Sequence, residues 1–414
     1  MPILLPGDGS DGDITFAVNT DLNTTDMPAH AVTGMGPGYV DVDDTTGLSV
    51  GDEVLLINTR GTLVGTEGPA GHHETFNILG IDTLRITFDG SQQLFYGDGG
   101  TSNDNISTHP VQLQRVPNYN NVTINAGVNV YPSATGRADT PGGVLFMRVL
   151  NTMTINGTLH ATSKGGDGGF YPDPNQGGLG VGGGAPSANG QGGAYALQGN
   201  TGWPLGINTN TYGDQEITNL HIGSGGARGV QTSTTTSCWG SDGGGAICVH
   251  ATTLEITGTG SILCNSTNAH SSGSWGGGSG SGGSIKLIVG TYNQSGTLAA
   301  TSGATGGSYA GGGGKGSVGR IAVYANVFNS SPSSTPTAYT AEATLPYFVS
   351  GILSEDALVR IYDADTGILI TTHSGVTGSY EIATPSTGPF DIVGKPVDTE
   401  SGALIFRDVV SEQH

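Results

Sequence analysis

Basic residues are scarce in this chain of 414 residues: 13 Lys and Arg stand against 34 Asp and Glu, for a formal net charge of −21. A surface of that sign repels phosphate backbones and anionic lipid headgroups, which excludes nucleic-acid binding and membrane insertion as leading readings. Cysteine is scarcer still. Cys238, Cys248 and Cys264 are an odd number without a CxxC pair, so neither a disulfide framework nor a zinc site can be read. They read as buried free thiols, with a Cys248–Cys264 bridge as the alternative. No apolar run approaches the roughly 18 residues of a membrane helix. The opening MPILLPGDGSDGD has no basic n-region, so no secretory signal is read, as in a processed mature form or a protein released by lysis. Hydrophobic residues are only 35% of the chain, against about 45–50% in ordinary domains. Helix formers are few and no long segment keeps a 3.6-residue period. What remains is an all-β class in which much of the chain cannot pack as a globular core.

What is abundant is glycine, 74 residues of 414, more than twice the usual share of roughly 7%. The apolar residues gather into short runs bounded by Gly, Asn, Ser and Thr, the pattern of strands and turns. Residues 1–30, rich in Asp, Thr and Asn, read as an extended N-terminal arm. Residues 31–140 read as a small β domain, with runs at Val54–Ile57, Ile78–Phe88, Val111–Val116 and Val122–Val130, and a turn marked by Gly47 and Gly51. Residues 341–414 carry less glycine. Runs at Phe348–Ile352, Leu358–Tyr362, Ile368–Thr372, Tyr380–Ala383 and Phe390–Val393 predict an immunoglobulin-like β-sandwich with a hairpin turn at Asp363–Gly367.

The stretch 141–340 repeats itself. Similar segments begin near Gly142, Gly244, Gly282 and Val318, the last three 38 and 36 residues apart. Each opens with alternating apolar residues, such as Ile285, Leu287 and Val289, and continues into a shorter strand such as the one holding Ile262. One such unit would leave its apolar face wet, and stacking buries it, so a glycine-rich, β-helix-like β-solenoid is predicted. The interval from Gly142 to Gly244 reads as a long insertion or two degenerate coils. Two roles suit the glycine runs: tight solenoid corners, or packed polyproline-II strands. Corners are favoured, because GGLGVGGGA keeps no every-third-residue rule.

Two resemblances rest on these residues. VDVDDTTGLSVGDEVLLI, QLQRVPNYNNVTINAGVNV and GGVLFMRVLNTMTINGTLHATSKGGDGG resemble the glycine-rich, adhesin-like surface proteins of bacteria and their phages over roughly residues 38–325. Those motifs are structural and carry no catalytic residues. The tail VRIYDADTG…GSYEI resembles the carboxypeptidase-regulatory-like β-sandwich module found in phage structural proteins, which implies a mounting or spacer role.

Motifs for chemistry are weak. GLGVGG at Gly178, Gly180 and Gly183 fits GxGxxG without a strand–helix context, and the run around Lys315 has Gly316 where a P-loop needs Ser or Thr. His72, His73 and Glu74 read as a solvated hairpin edge. Asp8, Asp11 and Asp13, and Asp41, Asp43 and Asp44, offer hard oxygens for a structural Ca2+ but keep no EF-hand or nonapeptide spacing. No cofactor is expected beyond that. Trp203, Trp239, Trp275 and Tyr309 sit in the glycine-rich stretches, where exposed aromatics stack on sugars or a receptor. The expected protein is a non-catalytic structural or attachment part of a bacteriophage virion, as tail fibre, spike or capsid decoration, homo-oligomeric, bound to other virion proteins and to a host-surface glycan or receptor. The alternatives are a glycan depolymerase on a β-helix and a secreted bacterial surface adhesin.

Overall fold

The structure is a computed structural model that describes residues 4–60, 67–97, 102–104, 106, 110–135, 140–169, 177–185, 190–200, 208, 210–229, 238–272, 275–305, 313–343, 347–363, 369–384, 390–396 and 404–409, with backbone alone at 271–272, at 275 and from 347 onward. Among the described residues it is all-β, with a 3-10 turn at Leu22–Thr24 capped by the Asp21 carboxylate. The chain forms two compact units, Pro6–Ala341, and Glu342–His414 with Met1–Leu5.

The larger unit is organised by two all-parallel sheets. One runs Ile14–Phe16, Val122–Ile124, Val144–Ile155, Ala246–Ile256, Ser284–Gln294, Arg320–Phe328 and Tyr339–Ala341; the other runs Thr20–Asp21, Asn129–Tyr131, Thr158–His160, Ser261–Leu263, Thr297–Ala299 and Ser334–Thr335. Each long strand is followed by its short partner in the second sheet, so the chain visits the sheets alternately. The register puts Leu145, Ile247, Ile285 and Ile321 opposite one another, with Met147, Val249, Leu287 and Val323 on the next inward row. These rows, with Leu159, Ile262 and Leu298 from the short strands, form one continuous buried core. The 38- and 36-residue spacings therefore have a packing cause: an inward residue must recur at each return. The segment expected as an arm supplies the first strand of both sheets, pairing Ile14–Phe16 with Val122–Ile124 and Thr20–Asp21 with Val130–Tyr131.

Between those first strands and the next, residues 29–115 close into a six-stranded antiparallel barrel, in the order Ala29–Gly36, Tyr39–Val42, Arg85–Phe88, His73–Asp82, Glu53–Asn58 and Val111–Arg115. Its interior holds Val40, Val54, Leu56, Ile86 and Leu113, with the rings of Phe76 and Phe88 stacked 4.7 Å apart. The alternate residues of Glu53–Asn58 are buried as well. On that outward face Glu53 meets Arg148 of the long Val144–Ile155 strand at 2.7 Å, a buried ion pair that joins barrel to parallel sheet. Arg115 adds contacts to Asp11 at 2.6 Å and Asp52 at 3.1 Å.

The glycine runs are not corners. From 161 onward, each return from a short strand to the next long strand goes out and back as extended passes that pack side by side. The 223–227 pass shows the rule. Gly223 and Gly226 donate to the carbonyls of Gly244 and Ser241, and their own carbonyls accept from Gly166 and Gly169. The carbonyls of Ser224 and Ala227 accept from Ser281 and Gly278, while Gly225 donates to Leu179 and accepts from Gly184. Partners thus repeat every third residue and lie in different neighbouring passes, which is the symmetry of a polyproline-II chain whose hydrogen bonds all go outward. A Cβ on Gly223, Gly225 or Gly226 would drive into the backbone carbonyls of Gly282, Asp167 or Gly278. Glycine is required there for close approach, not for a left-handed backbone; of the passes' glycines, Gly180 (φ +102) is an exception at an inner turn. The expectation that the runs keep no every-third-residue rule is corrected as well: glycine recurs at 177, 180 and 183, at 223, 226 and 229, and at 313, 316 and 319, with further glycines between because these passes have neighbours on every side. The interval between the Val144–Ile155 and Ala246–Ile256 strands is an insertion that adds further passes to the same bundle.

The smaller unit is a four-stranded antiparallel sheet in the order Leu369–Thr384, Tyr347–Asp363, Phe390–Pro396, Leu404–Val409. Four predicted short strands are here two long ones. The break predicted after Ile352 is a register irregularity between Leu353 and Ala357, as a β-bulge produces without ending a strand. The predicted turn at Asp363–Gly367 falls, after its first residue, outside the described residues.

Gly226→Ala should cost about 2–3 kcal/mol, because a carbonyl oxygen of a hydrogen-bonded neighbour cannot withdraw. Gly258→Ala, which meets nothing within 4 Å, should change stability by less than about 0.5 kcal/mol. Thermal unfolding of the two variants checks the pair; equal effects would contradict backbone-on-backbone packing.

Candidate functional site: the far end of the glycine bundle

The bundle begins at the long parallel strands and is fixed there by its insertion. The rings of Tyr195 and Tyr212 stack at 4.5 Å; the Tyr195 hydroxyl lies 2.6 Å from Ser284 Oγ and that of Tyr212 donates to the Ile222 carbonyl at 2.8 Å. Burial pushes both phenols far above their ordinary value, so they stay neutral donors. Two cations of the sheet's outer face reach up to backbone carbonyls of the insertion: Lys286 Nζ to Ile217 at 2.8 Å, and Arg320 to Tyr212 and Gly213 at 2.8 and 3.0 Å. Burial lowers the Lys286 pKa from its ordinary value. From the barrel, Glu67 comes within 3.0 Å of His221 Nε2, off the line of a well-formed hydrogen bond, and this contact holds the Glu67 carboxyl below its usual range.

At the opposite end of the bundle the described ends of the passes lie against one another. Gly169 accepts from Gly240, Gly190 donates to Gly276, Gly229 and Cys238 pair across a bridge, and Gly313 lies against Gly277. At this level Trp239 is 45% exposed, and its ring centre is 5.9 Å from that of His270. Their backbones are tied together: His270 donates to the Trp239 carbonyl and Gly277 to that of His270, both at 3.0 Å. Ser271–Ser272 and Trp275–Gly276 form a short antiparallel pair beside them. Of the four aromatics singled out from sequence, Trp239 is therefore a fixed, half-exposed ring at the bundle's end. Trp275 belongs to the adjoining strand pair with its side chain undescribed, and Trp203 and Tyr309 lie outside the described residues. The residues after Gly169, Gly229 and Thr305 and before Cys238 and Gly313 are likewise outside them.

A second feature lies on the flank of the larger parallel sheet. Glu255, Asn293, Gln294, Ser295 and Ser330 line an open groove of about 320 Å3. Sequence reasoning misses it, because Glu255 stands alone on its strand and only the strand register brings Asn293 beside it.

The remaining candidates are engaged otherwise. Asp11 accepts from Arg115 and the Asn118 backbone, Asp13 from the side chains of Asn120 and Asn121, Asp41 from Arg85, Asp43 from the Ala31 backbone, Asp44 from Thr45 and Thr46, and Asp8 from Ser10. Among the described residues no group of three His, Cys, Asp or Glu is placed to hold a metal ion. Cys238, Cys248 and Cys264 are buried and unbridged. His73 is not a freely solvated edge: its ring is partly buried at the joint of barrel and sheet, 6.4 Å from the Phe146 ring, with Nδ1 2.9 Å from the Gly71 carbonyl oxygen. Glu74 turns inward to the Tyr96 hydroxyl at 2.9 Å.

No known family model matches the chain, and no curated protein matches it, so neither the adhesin-like nor the carboxypeptidase-regulatory-like resemblance gains a sequence relative. Solved structures similar to it include phage tailspikes. Among them are the tailspike gp61 of Pseudomonas phage phi297 (11% identity, 76% of this chain and 52% of that one, TM-score 0.17), the tailspike gp49 of Pseudomonas phage LKA1 (10%, 87% and 78%, TM-score 0.15), and the gp54 tailspike of Acinetobacter baumannii bacteriophage AP22, solved with A. baumannii capsular saccharide (9%, 79% and 67%, TM-score 0.16). The chain spans about half the length of the phi297 protein. This finding corrects one expectation: with tailspikes as its structural neighbours, one of them holding a bacterial saccharide, the chain is no longer read as a non-enzyme. Among the described residues no helix is long and apolar enough to cross a membrane.

Burial depresses the His73 pKa from 6.5 to about 4. The unfolded chain therefore takes up this proton first, so the stabilisation is complete above about pH 6.5 and is lost as pH falls toward 4. A His73→Gln variant should show a flatter melting temperature across that interval than the parent protein; parallel pH profiles would mean that the ring is freely solvated.

Proposed function

We propose that this chain is a β-solenoid attachment protein of a phage virion, and that it engages a host-surface glycan through the far end of its glycine bundle. One observation carries the reading: a bundle held by backbone hydrogen bonds, with its foot locked by Tyr195, Tyr212, Lys286 and Arg320, holds the half-exposed Trp239 ring at the opposite end. Trp203, Trp275 and Tyr309 are proposed as further receptor contacts. An aromatic face stacks on the C–H face of a sugar ring and needs no charge to do so, which suits a chain whose residues 141–340 carry six basic and six acidic side chains. The strict parallel register supports the solenoid assignment for 141–340. Residues 31–140 are proposed as a small β domain built into it, its barrel ending at Arg115 and its strands Val122–Ile124 and Asn129–Tyr131 joining the parallel sheets, and 341–414 as an immunoglobulin-like mounting module toward other virion proteins in a homo-oligomeric particle.

Trp239→Ala should weaken adsorption of the purified protein to host cells roughly tenfold, the equivalent of about 1.4 kcal/mol. Unchanged adsorption would remove the bundle's end from the binding surface.

A second reading, a depolymerase that cleaves the glycan it binds, is favoured by the open groove on the sheet flank with the partly exposed carboxylate of Glu255. Incubation with host capsule or lipopolysaccharide distinguishes the two. New reducing ends, lost on substitution of a single carboxylate, would establish the depolymerase, and adsorption without cleavage would leave the attachment role.

A further inference from the structure

The outer face of the larger parallel sheet is covered by barrel and insertion only over the first half of each long strand. Beyond Ala251 and Val289 the outward positions are Thr154, Glu255 and Asn293, in register on three successive strands. Asn329, after the next strand, continues the row by donating from Nδ2 to Asn293 Oδ1 at 2.9 Å.

Most polar groups of the groove are already satisfied. Gln294 accepts from the Tyr292 hydroxyl and the Ser333 backbone and donates to the carbonyls of Gly296 and Ser333. Ser330 Oγ accepts from the Gln294 backbone at 2.7 Å, and the Thr257 hydroxyl is directed at the Ile155 carbonyl at 3.1 Å. Two groups differ. Among the described residues the Glu255 carboxylate meets no donor or cation, and the Asn293 side-chain nitrogen meets no acceptor. Neighbouring strands lie about 4.8 Å apart, so an unoccupied acceptor and an unoccupied donor stand side by side over an open groove.

That pairing selects a ligand chemistry. An acidic sugar or a phosphate would meet Glu255 with no cation to offset it, and a cation would meet the amide donor of Asn293. A hydroxyl is donor and acceptor at once and suits both. We infer that the Glu255–Asn293 groove is a saccharide subsite for an uncharged hexose unit, separate from the bundle's end. Glu255 accepts from one or two ring hydroxyls and Asn293 donates to a neighbouring oxygen. The choice of ligand class rests on the reading of the chain as glycan-engaging.

Saturation-transfer NMR on the full chain tests this, with the methyl glycosides of glucose, galactose, mannose and N-acetylglucosamine as probes. At least one glycoside should receive saturation, and in a Trp239→Ala background, which silences the bundle's end, Glu255→Gln and Asn293→Ala should each reduce that signal to the level of a protein-free control. Both positions lie on a partly exposed flank, so circular dichroism should report an unchanged fold. Absence of transfer to all four glycosides, or transfer that survives both substitutions, would overturn the subsite. Loss of signal on Trp239→Ala but not on Glu255→Gln would do the same while leaving the bundle's end as the glycan surface.

Discussion

The whole of the larger unit depends on backbones touching backbones without an intervening Cβ. In a side-chain core, chains stand apart by the thickness of their residues and the hydrophobic effect holds them together. In the glycine bundle the carbonyl of Gly278 occupies the place where a Cβ of Gly226 would stand, and Gly226 itself donates sideways to Ser241. Each pass exports its hydrogen bonds, so none is stable alone, and the bundle forms only when all its passes are present. Serine is tolerated where its hydroxyl can be used: Ser241, Ser279 and Ser281 are buried, and Ser279 Oγ donates to the Gly303 carbonyl while accepting from Gly316. This accounts for the low hydrophobic share of a chain that is nonetheless densely packed.

Such a bundle cannot anchor itself by apolar burial, and the parallel sheets supply the anchor. Their inner rows, from Leu145 through Ile321, are an ordinary hydrophobic core. Their outer rows carry the unusual residues: Arg148 paired with Glu53 of the barrel, Lys286 and Arg320 bonded to insertion carbonyls, and the buried His250 beside Phe146. A cation bonded to carbonyls fixes geometry as a charge pair does, yet places no second formal charge in a dry site. The division is physical, with the inner face giving stability and the outer face giving position.

The legibility of the sequence follows the same division. The inner rows are readable because period-2 apolar runs that recur at 38 and 36 residues suit a stacked array and little else, and the register aligns Ile247, Ile285 and Ile321 accordingly. The bundle misleads because its three-residue period, present as Gly223, Gly226 and Gly229 or Gly313, Gly316 and Gly319, is masked by the surplus glycines between them, such as Gly225 and Gly314. A usable signal is present: 177–193 and 222–229 hold far more small residues than a corner requires. The foot is illegible, since Tyr195, Lys286 and Arg320 are far apart in sequence and meet only through the insertion's path. At the bundle's end, Trp239 is legible as a candidate because a large ring in a glycine stretch has few places to hide. The Glu255 groove is not, because its second half belongs to another strand.

The same split between strands bears on the chemistry open to the flank groove. Hydrolysis of a glycosidic bond by the usual two-carboxylate route needs a second acidic group across the scissile bond, about 5–5.5 Å away for retention or about 6.5–9.5 Å for inversion. In the row that holds Glu255 the flanking positions are Thr154 and Asn293, which supply hydroxyl and amide but no acid. Among the described residues the row thus holds binding groups and a single carboxylate. Cleavage at this groove by that route would require a second carboxylate to arrive from beyond the row.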